Sequence, residues 1–208
     1  MPVNYTDKSI FNASSDKLNN LNAVTPGQIS PIFATQGIGL NFGSQGDLGK
    51  KIAVTDAEIG NFTYTPNGTL YGGVYQLVQV SAAATQANIA QGKIAYLLPT
   101  ATGYQVTDEA HALSTAIVAG VFLNTVTPGN YCFIFVGGGR VNVLLKTGLT
   151  NGTPAIGDNI VVAGGGGTAD DAAAGTTAPT GLYLGNAVTL PASNTLSVIY
   201  MERIKNRI

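Results

Sequence analysis

The sequence predicts an all-β protein: a small sandwich or barrel of strands that follows a long extended N-terminal arm. Three observations lead to this fold class. Short apolar or alternating segments recur at spacings of roughly 8 to 20 residues after residue 70, with turn residues between them. The chain holds 27 glycines, which favour turns and loops. Helical periodicity is scarce, so at most one short helix is expected, near residues 107–113.

Residues 1–70 form the expected arm. They are rich in Asn, Ser, Thr, Gly and Asp, and their apolar residues follow no sustained period, so they carry too little apolar surface to fold alone. We expect the arm to bind a partner and to gain its order there. Its candidate contact residues are Ile10, Phe11, Ile32 and Phe33.

Residues 71–208 form the expected β-sandwich or barrel domain. Its eight predicted strands are short apolar or alternating runs bounded by turn residues. The strands are expected at 74–80, 93–98, 115–123, 131–136, 140–146, 159–163, 182–187 and 195–201. Glycine-containing turns are expected at 127–130, 137–139 and 157–158. The low-complexity segment 164–175 is expected to be an exposed loop that Asp170 and Asp171 keep solvated.

The segment 131–136 is apolar on both faces of the predicted strand. One small core receives only one of these faces, so we expect the other to pack against further copies of the chain in a homotrimer. Tyr131, Phe133 and Phe135 are the candidate trimer or core residues. Cys132, the only cysteine, is expected to be a buried apolar residue, and one cysteine cannot form an intramolecular disulfide.

Charge is sparse along the whole chain. Only 10% of the residues are charged, against about 25% in ordinary soluble domains, which favours a protein that spends its life docked to other subunits. The net charge is −1 and most basic residues are scattered, which argues against a nucleic-acid partner. No segment reaches the roughly 18 apolar residues of a membrane span. With no signal-like N-terminus, we expect synthesis in the host cytoplasm.

The last six residues hold the one concentration of positive charge. If the final strand continues to the end of the chain, Arg203, Lys205 and Arg207 share one of its faces. They are candidate contacts for an acidic patch on a partner subunit. The alternative is a solvated edge strand that its charges protect against aggregation.

Residues for catalysis or for cofactor binding are few. His111 is the only histidine, and its neighbours Asp108, Glu109 and Ser114 lack the strained turn and the oxyanion hole of a hydrolase. The glycine-rich segments match no nucleotide-binding motif. The pair Asp170 and Asp171 is expected to be solvated instead of holding a metal ion. We therefore expect no enzyme activity, no cofactor and no metal site.

Several segments resemble the head decoration (cement) proteins of tailed bacteriophages. They are the strands at 75–78 and 92–96, the segment 117–131 with Gly120-Val121-Phe122-Leu123-Asn124 and Thr127-Pro128-Gly129-Asn130-Tyr131, the glycine turn 137–143, and Ala155-Ile156-Gly157-Asp158. The resemblance covers about residues 70–200. It implies a small, β-tulip-like domain that binds the outer surface of the capsid, commonly as trimers, and clamps neighbouring major capsid subunits. The candidate contact residues of the arm and of the basic C-terminal segment are then candidate capsid contacts. It carries no catalytic residues.

Two other functions remain open on the sequence. Another virion role, in the tail, the baseplate or a head fibre, would share the glycine-rich, weakly charged composition. A carbohydrate-binding β-sandwich would need exposed aromatic residues, and the chain has no Trp. Tyr64, Tyr71, Tyr75 and Tyr104 are the candidates for that role.

Overall fold

The computed structural model describes residues 49, 51–56, 63–64, 68–69, 71–82, 84, 89–98, 104–109, 117–123, 125–163, 166–172 and 183–202. Each element in these ranges is a β-strand. The strands are β1 (Lys51–Val54), β2 (Thr63–Tyr64), β3 (Gly68–Thr69), β4 (Gly73–Val80), β5 (Ile94–Leu97), β6 (Gln105–Thr107), β7 (Ile117–Phe122), β8 (Tyr131–Gly137), β9 (Gly139–Leu144), β10 (Asn159–Ala163), β11 (Thr168–Ala172), β12 (Tyr183–Ala187) and β13 (Leu196–Met201). In these ranges, no helix is long and apolar enough to cross a membrane.

Five strands close into a barrel. Their order is β4, β6, β5, β7 and β8, and β8 pairs back with β4. The β4–β6 pair is parallel and the other pairs are antiparallel. β1 joins this sheet by pairing with the first half of β4, from Gly73 to Gln76. β1 lies within residues 1–70, so the sheet begins before the boundary drawn from the sequence.

A second, antiparallel sheet has the strand order β11, β10, β12, β13 and β9. A glycine link joins it to the barrel, because β8 ends at Gly137 and β9 begins at Gly139. Gly137 and Gly138 have φ of 121° and 79°, a region that favours glycine. Since β8 and β9 belong to different sheets, the segment 137–139 crosses between sheets, where the sequence predicts an ordinary turn.

The core explains why β8 is apolar on both faces. Phe133 and Phe135 lie on one face, with Cys132 and Ile134 on the other, and all four are at most 1% exposed. The closed barrel encloses one face, and the rest of the same chain covers the other. Both faces are therefore buried without a second copy, and the expected homotrimer rests on the resemblance alone. Cys132 is a buried free thiol whose pKa burial raises, as the sequence predicts for an apolar role.

The all-β prediction is confirmed, and each of the eight predicted strands overlaps an observed one. Of the best helix candidate, near residues 107–113, Thr107 ends strand β6, and residues 110–116 lie outside the described ranges. One local prediction is wrong. The expected loop at 164–175 contains β11, which pairs with β10 along its length. Asp170 and Asp171 of β11 are 8% and 1% exposed, so they do not solvate a loop.

Candidate functional site

The second sheet presents an exposed face on β9, β12 and β13, which we call the tyrosine face. It carries Tyr183 and Tyr200, which are 41% and 51% exposed, and Leu196, which is 38% exposed. Strand alternation produces this face: along β13, Ser197, Ile199 and Met201 are buried, and the residues between them point outward. On β9 the outward residues are Arg140, Asn142 and Leu144.

The register places the members of this face side by side. Tyr200 lies opposite Arg140 of β9 and opposite Asn186 of β12. Because directly opposite residues in a sheet have Cβ atoms about 4.5 to 5.5 Å apart, these three side chains form one continuous patch. Val198 and Leu196 extend it along β13 to the other end of the β9–β13 pair.

Hydrogen bonds hold part of the face rigid. The Tyr183 hydroxyl donates to Asn186 Oδ1 at 2.6 Å, and Asn186 Nδ2 donates to Asn159 Oδ1 at 3.1 Å and to the Gly157 carbonyl at 3.2 Å. Burial, and then the negative charge of Glu202, raise the pKa of Tyr183, so the phenol stays protonated at neutral pH. The amide and the phenol therefore have fixed positions before any partner binds.

Arg140 is the only charged residue within β9, β12 and β13. Its guanidinium carbon lies 5.8 Å from the ring centroid of Tyr71, a cation–π distance. Beside it lies a cleft that Tyr71, Gln91 and Asn142 help to line. The space inside this cleft, about 10 Å³, holds about one water molecule. A cleft of this size is too small for a metabolite.

Tyrosine and arginine are the residue types that dominate binding energy at protein interfaces, and low charge is typical of the centre of an interface. The tyrosine face combines both features with a rigid backbone. It can therefore bind another macromolecule by contact, with Tyr183 and Tyr200 as anchors and Arg140 as the polar contact.

A group of aspartates lies at the other edge of the second sheet. Asp170 accepts hydrogen bonds from the Thr150 backbone at 3.0 Å and from the Thr150 hydroxyl, and its Oδ2 lies 2.7 Å from Lys146 Nζ. Asp158 accepts from Asn151 Nδ2 at 2.8 Å. Within the described ranges, no three His, Cys, Asp or Glu side chains are arranged to hold a metal ion. These carboxylates serve the packing of the loop at 146–158.

Most of the candidate site residues predicted from the sequence do not belong to the tyrosine face. Phe133 and Phe135 are in the core, and the side chain of Tyr131 lies outside the described part of the chain. The remaining candidates are also outside the described residues; they are Ile10, Phe11, Ile32, Phe33, Arg203, Lys205, Arg207 and His111.

Of the tyrosines proposed for sugar stacking, only Tyr104 is exposed among those whose side chains the structure describes. Tyr75 is 1% exposed, Tyr71 is half-buried and Tyr104 is 39% exposed, whereas the side chain of Tyr64 is not described. Sequence reasoning missed Tyr183 and Tyr200. The alternation of Leu196 to Met201 was a usable signal for Tyr200, because period two sets it on the face opposite Ile199.

Comparisons with known proteins return little. No family model matches the sequence, and no curated protein matches it. One similar solved structure is "The crystal structure of head fiber gp8.5 N base in bacteriophage phi29", at 14% sequence identity and a TM-score of 0.42, covering 64% of this chain and 98% of that chain. A likeness of this degree supports no inference about function, and the resemblance to head decoration proteins stays a prediction.

Proposed function

We propose that this chain is a structural virion protein of a tailed bacteriophage that binds the outer surface of the head and stabilises it by clamping neighbouring major capsid subunits. The observation that carries the proposal is the tyrosine face, a rigid and nearly uncharged surface with two half-exposed tyrosines and one arginine. This role needs adhesive surface and no catalysis. The sparse charge of the chain and the resemblance of residues 70–200 to decoration proteins support the same role.

The area of the tyrosine face limits how tightly a single copy of the chain can bind. Three strands of five or six residues, about 4.8 Å apart and about 3.4 Å per residue, give a patch of roughly 270 Å². A standard interface buries about 800 Å² per partner. One tyrosine face therefore binds weakly, and tight attachment needs further contacts, from the arm, from the basic C-terminal residues or from several linked copies. Linked copies raise avidity by about a hundredfold or more without any new type of contact.

The direct test is binding to heads that lack this chain. Purified chain is mixed with such heads, the heads are sedimented, and the bound chain is measured. We expect the double variant Tyr183→Ser, Tyr200→Ser to bind about tenfold more weakly or worse, because truncating an anchor residue costs more than about 1 kcal/mol. Ile117→Ser is the matched control, since Ile117 is 41% exposed but lies in the barrel sheet.

Equal loss of binding in the control and the double variant would mean that exposed apolar area in general drives attachment. If the wild-type chain bound to tails or baseplates and not to heads, the result would indicate another virion role. A homotrimer is part of the proposal, and light scattering on the free chain and on material released from heads measures it.

The second candidate is glycan binding. The specific observation that favours it is the row of Tyr183, Asn186 and Tyr200, since sugars stack on aromatic faces and hydrogen-bond to amides. A glycan array distinguishes the two functions. A glycan signal that is lost in the Tyr200→Ser variant would support glycan binding. An array without any signal would contradict glycan binding and favour the capsid role.

A further inference from the structure

Lys93 and Asp108 face each other in the interior. Lys93 Nζ lies 2.5 Å from Asp108 Oδ2, and the two side chains are 9% and 0% exposed. The amine and the carboxyl group are therefore in direct contact, and almost without water.

The backbone fixes both groups. Lys93 directly precedes β5 and Asp108 directly follows β6, which are antiparallel neighbours in the barrel. The carbonyl of Lys93 accepts from the Phe122 N–H at 2.9 Å, and the Ile94 N–H donates to the Gly167 carbonyl at 2.6 Å. Gly167 lies so close to Asp108 that an added Cβ would sit 2.6 Å from the Asp108 carbonyl oxygen. The approach of the two side chains is thus built into the barrel.

Two more buried polar atoms lie in this region. Asp108 Oδ1 and the Tyr96 hydroxyl have no hydrogen-bond partner among the described residues. Burial, and then the negative charge of Asp108, raise the pKa of Tyr96 to about 12, so the phenol keeps its proton. The charge of Asp108 acts on Tyr96, so the phenol lies in the same buried region as the carboxyl group.

Amide formation needs the neutral amine and the carboxylic acid. Transfer of one proton from nitrogen to oxygen within the pair supplies both forms, and it removes two charges that are costly to hold away from water. A nitrogen 2.5 Å from the carboxyl oxygen lies about 3 to 3.5 Å from the carboxyl carbon, which is the near-attack distance. Fixed geometry of this kind gives effective molarities of about 10⁵ to 10⁸ M, which promotes a condensation that free molecules do not undergo.

We propose that Lys93 and Asp108 form an intramolecular amide cross-link. The lone pair of the neutral Lys93 amine adds to Cγ of the Asp108 carboxylic acid, and the bond between Cγ and the hydroxyl oxygen then breaks. The departing hydroxyl takes one proton from Nζ and leaves as water. The products are one secondary amide and one water molecule, so no oxidant, reductant or activated co-reactant is needed. The Tyr96 hydroxyl, which has no hydrogen-bond partner among the described residues, is the donor that we assign to the remaining carboxyl oxygen during the reaction, so Tyr96 is a positioning residue.

The ion pair between Lys146 and Asp170 provides an internal contrast. Lys146 Nζ lies 2.7 Å from Asp170 Oδ2, but these side chains are 31% and 11% exposed, and Thr150 donates to both oxygens of Asp170. Water and these hydrogen bonds stabilise the charged pair, so no amide is expected there. We expect this pair to remain an ion pair.

The sequence makes the cross-link easy to detect. Lys93 is the only Lys or Arg between Lys51 and Arg140, and trypsin does not cut after a lysine whose amine is acylated. Digestion of the denatured, full-length chain should therefore leave the fragment 52–140 whole and lighter than its sequence by one water molecule. An unlinked chain gives the two fragments 52–93 and 94–140 at their full masses.

Variants distinguish the loss of the cross-linking reaction from a loss of folding. Lys93→Arg should restore the full mass and cleavage at position 93, whereas Lys146→Arg should keep the loss of one water. Asp108→Asn should reach the same linked mass by losing ammonia. Tyr96→Phe should slow the reaction, so that linked and unlinked fragments coexist in freshly made protein and the linked share rises with time.

The wild-type digest decides the proposal even if a variant fails to fold. Folded wild-type protein that shows its full mass and complete cleavage after Lys93 would overturn it and leave the pair as a buried salt bridge. The cross-link does not depend on the proposed function, because the mass of the chain is measured without any partner.

Discussion

Asp170 and Asp171 are adjacent in β11, yet their carboxyl groups meet opposite environments. Asp170 lies opposite Val161, and Asp171 lies opposite Ile160, which is fully buried. Burial alone would raise the pKa of Asp170, but hydrogen bonds from Lys146 and Thr150 outweigh burial and hold its pKa below the ordinary value. Burial raises the pKa of Asp171, and the negative charges of Asp170 and Asp158 add to that rise.

These opposite shifts predict opposite effects of neutral substitutions. Neither oxygen of Asp171 makes a hydrogen bond of good geometry, although the Asn151 N–H partly counters the rise in its pKa. At pH 7, Asp171→Asn should raise the free energy of unfolding by about 1 kcal/mol, because it removes a buried charge. Asp170→Asn should lower it by about 1 to 3 kcal/mol, because it breaks satisfied charge-assisted hydrogen bonds.

The pH dependence follows from linkage. Asp171 has a folded pKa above its unfolded value of about 3.9, so its cost is absent below pH 4 and grows as the pH rises toward the folded pKa. The stabilisation from Asp170 is present above about pH 4 and is lost as the pH falls through its folded pKa. Urea unfolding of the wild-type chain and both variants from pH 3 to pH 7 measures how the free energy of unfolding of each depends on pH. Shifts of the same sign in both variants at pH 7 would contradict the assignment.

Single residues also show where sequence reasoning stops. Cys132 could be predicted to be buried, because an apolar run surrounds it on both sides. The burial of Asp171 could not be predicted, because nothing in a glycine- and alanine-rich segment reveals that the loop at 146–151 will lie against it. The burial of a charged residue depends on a distant segment that brings donors to it.

At the scale of the strands, β12 and β13 approach each other at a glycine. A Cβ on Gly185 would overlap the carbonyl oxygen of Tyr200 and lie 3.0 Å from the Cα of Met201. Gly185→Ala should therefore destabilise the fold by about 1 to 3 kcal/mol, since backbone must move to admit the methyl group. Thermal unfolding measures the loss.

Gly152→Ala is the control for that substitution. Nothing lies within 4 Å of a Cβ at Gly152, so the effect should stay within about 0.5 kcal/mol. Equal melting temperatures for the two variants would show that β12 and β13 are not as close as the register of Gly185 and Met201 implies.

Strand prediction succeeded where the pattern was long and failed where it was short. β4, β8 and β13 carry six or more residues with clear apolar or alternating patterns. β6 has only three residues and β11 contains two aspartates, so neither shows a usable period. Tertiary pairing forms both strands: β6 lies between β4 and β5, and β11 pairs with β10.

For the whole molecule, the fold class could be predicted but not the division into a barrel and a second sheet. That division depends on which strands pair, and β4 pairs with β6 and β8 across long sequence separations. The tyrosine face could not be predicted either, because it also depends on which strands pair. Alternation sets Tyr200 outward, but only the order β12, β13, β9 brings Tyr183 and Arg140 beside it.

The architecture makes charge a minor part of the proposed attachment. Arg140 is the only charged residue on the three strands of the tyrosine face, so salt should weaken the contribution of this face little. Replacing Arg203, Lys205 and Arg207 together by Gln should instead flatten any salt dependence of head binding between 50 and 500 mM salt, roughly a threefold change in screening length. Occupancy on heads, measured for both chains across this range, checks the prediction.

An electron cryomicroscopy map of the parent particle would show whether this chain coats a phage head through its second sheet, as proposed. We expect density for the barrel and the second sheet on the outer surface of the head, with Tyr183 and Tyr200 against a major capsid subunit. Density on the tail or baseplate, or a tyrosine face that points into solvent on every copy, would contradict it.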